Sequence, residues 1–304
     1  MSEKPTLVFF GTGPVSLHTL EQISPAFSIE AIITKPSTTK SHKHQSQTVE
    51  DWAKIHNIPV HLPADKAELS GVFMQNKFKS LIGLVVDYGI IIPQDVLTSF
   101  KKGILNSHFS ILPEWRGADP ITFAILSGQK ITGVSIMLVV PKLDEGDLLT
   151  TQEYRLPPTI TIDVLTKELT ELSSKLLIDT IPKYLADDIK PYPQPTTNKP
   201  TYSRKLTKQD GLVDCNKSAE QIEREIRAYL GWPKSLLKYQ GLDLILLESK
   251  VSNDQVDTGK LKVIDSKLLL GCKNNSLQII KLQIAGKKPM DAKSFINGYQ
   301  NIIG

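Results

Sequence analysis

The sequence predicts an α/β protein with a doubly wound, Rossmann-like parallel sheet and a smaller, β-rich C-terminal domain. Three observations carry that expectation. Short apolar runs alternate with amphipathic stretches from residue 6 onward, as in parallel sheets whose crossovers are helices. A dense run of prolines interrupts the pattern near residue 190. Beyond it, short β-type runs are separated by turn residues around one helical stretch.

The elements follow in order. Residues 7–10, Leu-Val-Phe-Phe, form a continuous apolar run ahead of Gly11-Thr-Gly13-Pro14, and Leu17, Leu20 and Ile23 then mark a helix face. Strands are expected over 29–33 and 58–61, with a helix over 48–56 between them. Residues 81–86 are apolar enough to be buried on both faces, as central parallel strands are. A strand over 104–110, a helix over 120–126 and a strand over 132–140 continue the alternation. A long amphipathic helix over 160–185 closes this first domain, 1–188. Pro191, Pro193, Pro195 and Pro200 remove backbone donors and favour extended chain, so 189–208 reads as a basic, proline-rich linker. The second domain, 209–304, should hold a helix over 219–229 and strands over 242–247, 261–263, 267–270 and 277–283.

Composition excludes several classes. The 304 residues carry 36 basic and 32 acidic side chains, too even a balance for a general polyanion binder. The distribution is less even: 1–188 has a net charge of −4, 189–208 of +5 and 209–304 of +3. A polyanionic partner would therefore find its best potential in the C-terminal third. Two cysteines, Cys215 and Cys272, make neither a disulfide framework nor a zinc site. No apolar run approaches the roughly 20 residues of a membrane helix. The first strand starts too early to leave room for a signal peptide. A cytoplasmic, monomeric protein is expected.

Gly11-Thr-Gly13 invites comparison with a dinucleotide site, but the position of the third glycine is Ser16, and a tight strand-to-helix turn explains the pair. The segment Asn106-Ser-His-Phe-Ser-Ile-Leu-Pro-Glu-Trp-Arg-Gly117 is more informative. Asn106 and His108 are two apart at a strand's carboxyl end, on one face, where open α/β sheets bind ligands. Asn supplies an amide donor for a developing oxyanion, and His a group that titrates near neutral pH. Asp144, in Leu143-Asp-Glu-Gly-Asp147, follows the 132–140 strand, and one right-handed crossover would bring the two strand ends together. A satisfied core histidine, a strand-end cap and a turn aspartate account for the same three residues equally well. Trp52 and Trp232 read as packing residues, whereas Trp115 either contacts a substrate or covers the pocket.

Asn106-x-His108-x-Ser110-Ile-Leu-Pro113-x-x-x-Gly117 with Leu143-Asp144-x-Gly146-Asp147 resembles the signature of the 10-formyltetrahydrofolate-dependent formyltransferases. The resemblance runs nearly end to end. It includes Phe9-x-Gly11, Tyr88-Gly89-x-Ile-Ile-Pro93, Arg116-Gly117-Ala-x-Pro120, Ile226-Arg-Ala228 with Trp232-Pro233, and Ala285-Gly-Lys-Lys-Pro-Met290. The last block and the full-length C-terminal part point to the branch that formylates the amino group of methionyl initiator tRNA for translation initiation, in a bacterial-type cytoplasm. A relative acting on an amino-sugar nucleotide or glycinamide ribonucleotide is the alternative. An idle RNA-binding protein on the same scaffold and a formate-releasing hydrolase are further rivals.

The resemblance implies specific roles. Asn106 and a protonated His108 would stabilise the tetrahedral oxyanion, and Asp144 would keep the imidazole charged. The folate cosubstrate would lie against Val86, Tyr88, Ile90, Ser110, Leu112, Pro113 and Val139, mostly through backbone groups, with no metal. The tRNA would meet Lys40 and Lys43 in a loop spanning 35–48, together with Arg116. It would also meet Arg204, Lys205 and Lys208 in the linker and Lys287 and Lys288 in an OB-like C-terminal barrel.

Overall fold

A computed structural model of the chain describes residues 4–36 and 48–303. Its strands are β1 (Thr6–Gly11), β2 (Ser28–Ile33), β3 (Val60–His61), β4 (Ile82–Val86), β5 (Ile104–His108), β6 (Arg116–Gly117), β7 (Ile131–Leu138), β8 (Leu148–Arg155), β9 (Tyr202–Ser203), β10 (Ser235–Tyr239), β11 (Leu242–Ser252), β12 (Leu261–Ile264), β13 (Lys267–Gly271), β14 (Ser276–Ile284) and β15 (Met290–Asp291). The helices are α1 (Pro14–Ile23), α2 (Val49–Ile55), α3 (Lys66–Gln75), α4 (Gln94–Leu97), α5 (Pro120–Ser127), α6 (Ile162–Leu185), α7 (Ala219–Ala228) and α8 (Ala292–Gly298). The chain divides into two compact units. One comprises residues 1–120, 131–155 and 166–202; the other comprises 121–130, 156–165 and 203–304. The second unit thus takes in two segments that lie before residue 188 in the sequence.

The first unit is built on a seven-stranded sheet in the order β3-β2-β1-β4-β5-β7-β8. Strands β1 to β5 are parallel, and β4, buried at every position, lies near the middle as its apolar run predicts. The expected doubly wound order stops there. β7 runs antiparallel to β5, with Leu105 opposite Leu138 and His108 opposite Ser135, and β8 returns antiparallel to β7. β8 has no counterpart in the sequence reading because its Thr-Thr-Gln-Glu centre lacks an apolar run. As the sheet's outer strand, β8 buries little beyond its first residues.

Local chemistry explains the helix starts. Pro14 opens α1 after Gly13 at φ 93, and Ser16 donates its hydroxyl to the Val86 carbonyl at 2.6 Å, tying α1 to β4. A Cβ on Gly11 would lie 2.7 Å from that of Ser16, so this turn uses glycine for close approach and carries no dinucleotide fingerprint. Thr48 and Asp51 cap α2 reciprocally, and Asp65 caps α3. One face of the sheet buries Phe10, Val85, Ile90, Phe100 and Ile104 in a single apolar cluster.

The second unit contains an antiparallel sheet, β10-β11-β14-β13-β12, with β15 beside β14. β10, not expected from the sequence, extends one edge. Instead of a backbone ladder, the two edge strands are linked by Leu261 N–H donating to the Tyr239 hydroxyl at 3.2 Å. The apolar face of α7 covers the sheet through Ile222 and Ile226, packed with Leu244, Leu282 and Phe295.

Candidate active site

β5 delivers the two central residues. Its alternation sends Ser107 to one face, where its hydroxyl meets Ser173 on α6 at 2.6 Å, and Asn106 and His108 to the other. His108 is only 5% exposed. Its Nε2 lies 2.9 Å from the Trp115 carbonyl. A carbonyl only accepts, so Nε2 carries the proton and Nδ1 of the neutral ring keeps a lone pair. Nδ1 in turn faces the Asp144 carboxylate at 3.8 Å. The Asn106 carboxamide has no hydrogen-bond partner among the described residues and is free to donate to a ligand.

Burial holds the His108 pKa below its ordinary value of 6.5, outweighing the nearby Asp144 anion and the Trp115 hydrogen bond, which both raise it. Burial thus works against the protonated imidazole that the sequence reading expects, while Asp144 works for it. The carboxylate also arrives by a different route than predicted. No crossover joins the two strand ends, because β7 is antiparallel and finishes beside the start of β5. Instead the 139–147 turn folds back, and Asp144, at φ 52, accepts the Gly117 N–H at 2.7 Å. Gly146 permits this path, since a Cβ there would lie 1.7 Å from the Leu138 carbonyl oxygen.

The 110–117 loop is held by polar anchors. The Ser135 hydroxyl donates to the Ser110 carbonyl at 2.7 Å and accepts Leu112 N–H at 3.1 Å, while the Ser110 hydroxyl donates to the Glu114 carbonyl. Trp115 adopts φ 55, rare for a large side chain, and its carbonyl is the one that fixes His108.

The other predicted residues fall into distinct groups. Val86, Leu112 and Pro113 are buried at strand ends or loops of this region. The side chains of Tyr88, Ile90 and Val139 instead pack in the apolar cluster around Phe10, with Tyr88 edge-on to Phe10 at 5.8 Å. Arg116 departs most from expectation. It is 9% exposed, with Nε and Nη2 on the Gln194 oxygen at 3.3 and 2.8 Å and Nη1 3.3 Å from Glu145, which leaves no guanidinium facing a phosphate. Lys40 and Lys43 lie outside the described residues. Arg204 is exposed but forms a bidentate pair with Asp210 at 2.9 and 2.6 Å. Lys205, Lys208 and Lys288 are exposed, and Lys287 donates to the Tyr299 hydroxyl at 2.7 Å. Trp52 is 3% exposed, a packing residue as expected, whereas Trp232 is 56% exposed and is not one.

The stretch read as a linker is partly a strap on the first unit. Tyr192 exchanges backbone hydrogen bonds with Leu148, Thr201 accepts Arg116 N–H at 2.9 Å, and Gln194 reaches the 144–146 turn. Sequence reasoning missed Gln194 and Ser135, and a polar residue among prolines gives no signal of such contacts. Among the described residues no group of three or more His, Cys, Asp or Glu is placed to hold a metal ion, and no helix is long and apolar enough to cross a membrane.

Residues 28–181 match the family described as formyl transferase, and residues 205–300 match the formyl transferase C-terminal domain. A methionyl-tRNA formyltransferase of Francisella philomiragia is 35% identical over 97% of this chain and 96% of its own. The crystal structure of WlaRD, a sugar 3N-formyl transferase seen with dTDP and 5-N-formyl-THF, superposes with a TM-score of 0.71. At 16% identity it covers 94% of this chain and all of its own. A methionyl-tRNA formyltransferase structure from Clostridium thermocellum gives 0.55 at 19% identity, covering 83% and 95%. With both domains matched and a relative this similar along nearly the whole length, the chain belongs to the methionyl-tRNA formyltransferase family.

Proposed function

We propose that the protein transfers the formyl group of 10-formyltetrahydrofolate to the amino group of methionyl initiator tRNA in a bacterial-type cytoplasm. The observation that carries this reading is the arrangement on β5. An unpartnered Asn106 amide stands two residues from a buried His108 whose Nδ1 faces the Asp144 carboxylate at 3.8 Å.

The chemistry follows from those atoms. The methionyl amine attacks the formyl carbon, forming a C–N bond and leaving negative charge on the formyl oxygen. Asn106 donates to that oxygen, an interaction of a kind typically worth about 3 kcal/mol in the barrier. His108 Nδ1 takes the proton that the amine must lose. Its Nε2–H stays on the Trp115 carbonyl, and Asp144 stabilises the imidazolium that forms. The proton then passes to N10 of the folate as the bond from N10 to the formyl carbon breaks, giving tetrahydrofolate and the formylated amine.

This division of labour differs from an imidazolium that waits as an oxyanion donor, and burial of His108 is what favours the base. The exposed Lys205, Lys208 and Lys288 support binding of the RNA backbone. The test is His108→Ala. Turnover should fall by about 10²–10⁴-fold while RNA affinity stays within about twofold, and unchanged turnover would refute the assignment.

A further inference from the structure

Gln194 uses every hydrogen-bonding position of its carboxamide on the turn that carries Asp144. Nε2 donates to the Asp144 carbonyl at 2.8 Å and to the Gly146 carbonyl at 2.9 Å. Oε1 accepts from Arg116 Nε and Nη2 at 3.3 and 2.8 Å. An amide has two such donors and two acceptor lone pairs, so the group is saturated. Arg116 extends the grip, since its Nη1 lies 3.3 Å from Glu145. One side chain therefore holds three consecutive residues, two by their carbonyls and the middle one through Arg116.

The turn needs this support. Asp144 sits at φ 52, and Gly146 is pressed against the Leu138 carbonyl. Among the described residues, the Asp144 carboxylate accepts one hydrogen bond, from the Gly117 N–H at 2.7 Å, while it faces His108 at 3.8 Å. Gln194 itself is contributed by the proline-rich strap, whose neighbour Tyr192 is fastened to Leu148 by two backbone hydrogen bonds of 2.7 and 2.9 Å. Prolines on either side, Pro193 and Pro195, restrict the backbone that presents the amide.

We propose that Gln194 is a positioning residue that, with Arg116, sets the Asp144 carboxylate against His108. Its catalytic consequence rests on the function proposed above; its structural consequence does not. Misplacing a catalytic group by about 1 Å can cost roughly a hundredfold in rate. Gln194→Ala should therefore lower kcat for formyl transfer by roughly 10–100-fold, with KM for the folate and RNA substrates within about threefold. Gln194→Glu keeps the size but sets carboxylate oxygens against two carbonyls, so it should be no better than the alanine variant.

Two readouts separate positioning from loss of stability. In an Asp144→Asn background, Gln194→Ala should add less than about a twofold loss, because the two residues act through one group. Independently of turnover, the Gly117 amide proton resonance reports the hydrogen bond to Asp144. It should move upfield in Gln194→Ala, while amides of the second unit stay unshifted. Multiplicative losses in the double variant, or an unshifted Gly117 amide, would overturn the proposal. Wild-type protein without formyl transfer would instead overturn the functional reading, and the Gly117 resonance would then decide the positioning role alone.

Discussion

Asp144→Asn isolates the charge that the site aims at its histidine. The substitution keeps the side chain's size and an oxygen for the Gly117 N–H, yet removes the anion 3.8 Å from His108 Nδ1. Both side chains are nearly buried, at 6% and 10% exposed, so solvent screens the pair little. Two unit charges at that distance attract by about 4 kcal/mol at an effective dielectric near 20. In the proposed mechanism the imidazole becomes cationic on taking the amine proton, so most of this attraction is realised on the way to the transition state. At about 1.4 kcal/mol per decade, a partly transferred proton corresponds to a kcat loss of about 10²–10³-fold with KM within about threefold. Single-turnover formylation with saturating substrates measures the step directly.

The pH profile adds a sign. Burial holds the His108 pKa below 6.5, and the neutral form is the active base, so the acid limb of kcat/KM should lie below pH 6.5. Removing Asp144's charge deletes an influence that raises this pKa, which moves the limb to still lower pH. An unchanged kcat, a loss confined to KM or a limb displaced upward would refute the reasoning.

Other substitutions probe the scaffold and the RNA surface. Gly146→Ala would place a Cβ 1.7 Å from the Leu138 carbonyl oxygen, so the 139–147 turn must move. Turnover should drop by more than about a hundredfold, with about 1–3 kcal/mol of stability lost in chemical denaturation; wild-type kinetics would refute the role given to this glycine. Replacing exposed Lys205 and Lys208 with Ala should weaken RNA binding and reduce the slope of log affinity against log salt by roughly 1.5. An unaltered slope would locate the phosphate contacts elsewhere. Arg116→Ala should act on kcat, because its guanidinium is spent on Gln194 and Glu145.

The parts legible in the sequence are those with a strong local signal. β4 announces itself as an apolar run, and the spacing of Asn106 and His108 places both on one face of β5. The antiparallel return of β7 and β8 was not legible, because an apolar run carries no direction and β8 is polar. The state of His108 depends on competition between burial and Asp144, and burial by residues distant in sequence is invisible in a motif. Arg116 illustrates the same limit. An arginine beside a site motif reads as a phosphate ligand until Gln194, 78 residues later, takes its guanidinium. Prolines 191 to 200 argue against a helix there, but a chain without helix serves a strap as readily as a spacer.

The central claim, formyl transfer to an aminoacyl-tRNA, is tested most directly by a formylation assay with purified protein and 10-formyltetrahydrofolate. Methionyl initiator tRNA is the acceptor, with methionyl elongator tRNA, glycinamide ribonucleotide and an amino-sugar nucleotide in parallel. The account predicts rapid formylation of the initiator tRNA and little or none of the other three. Formylation of a small amine with both tRNAs left untouched would contradict it.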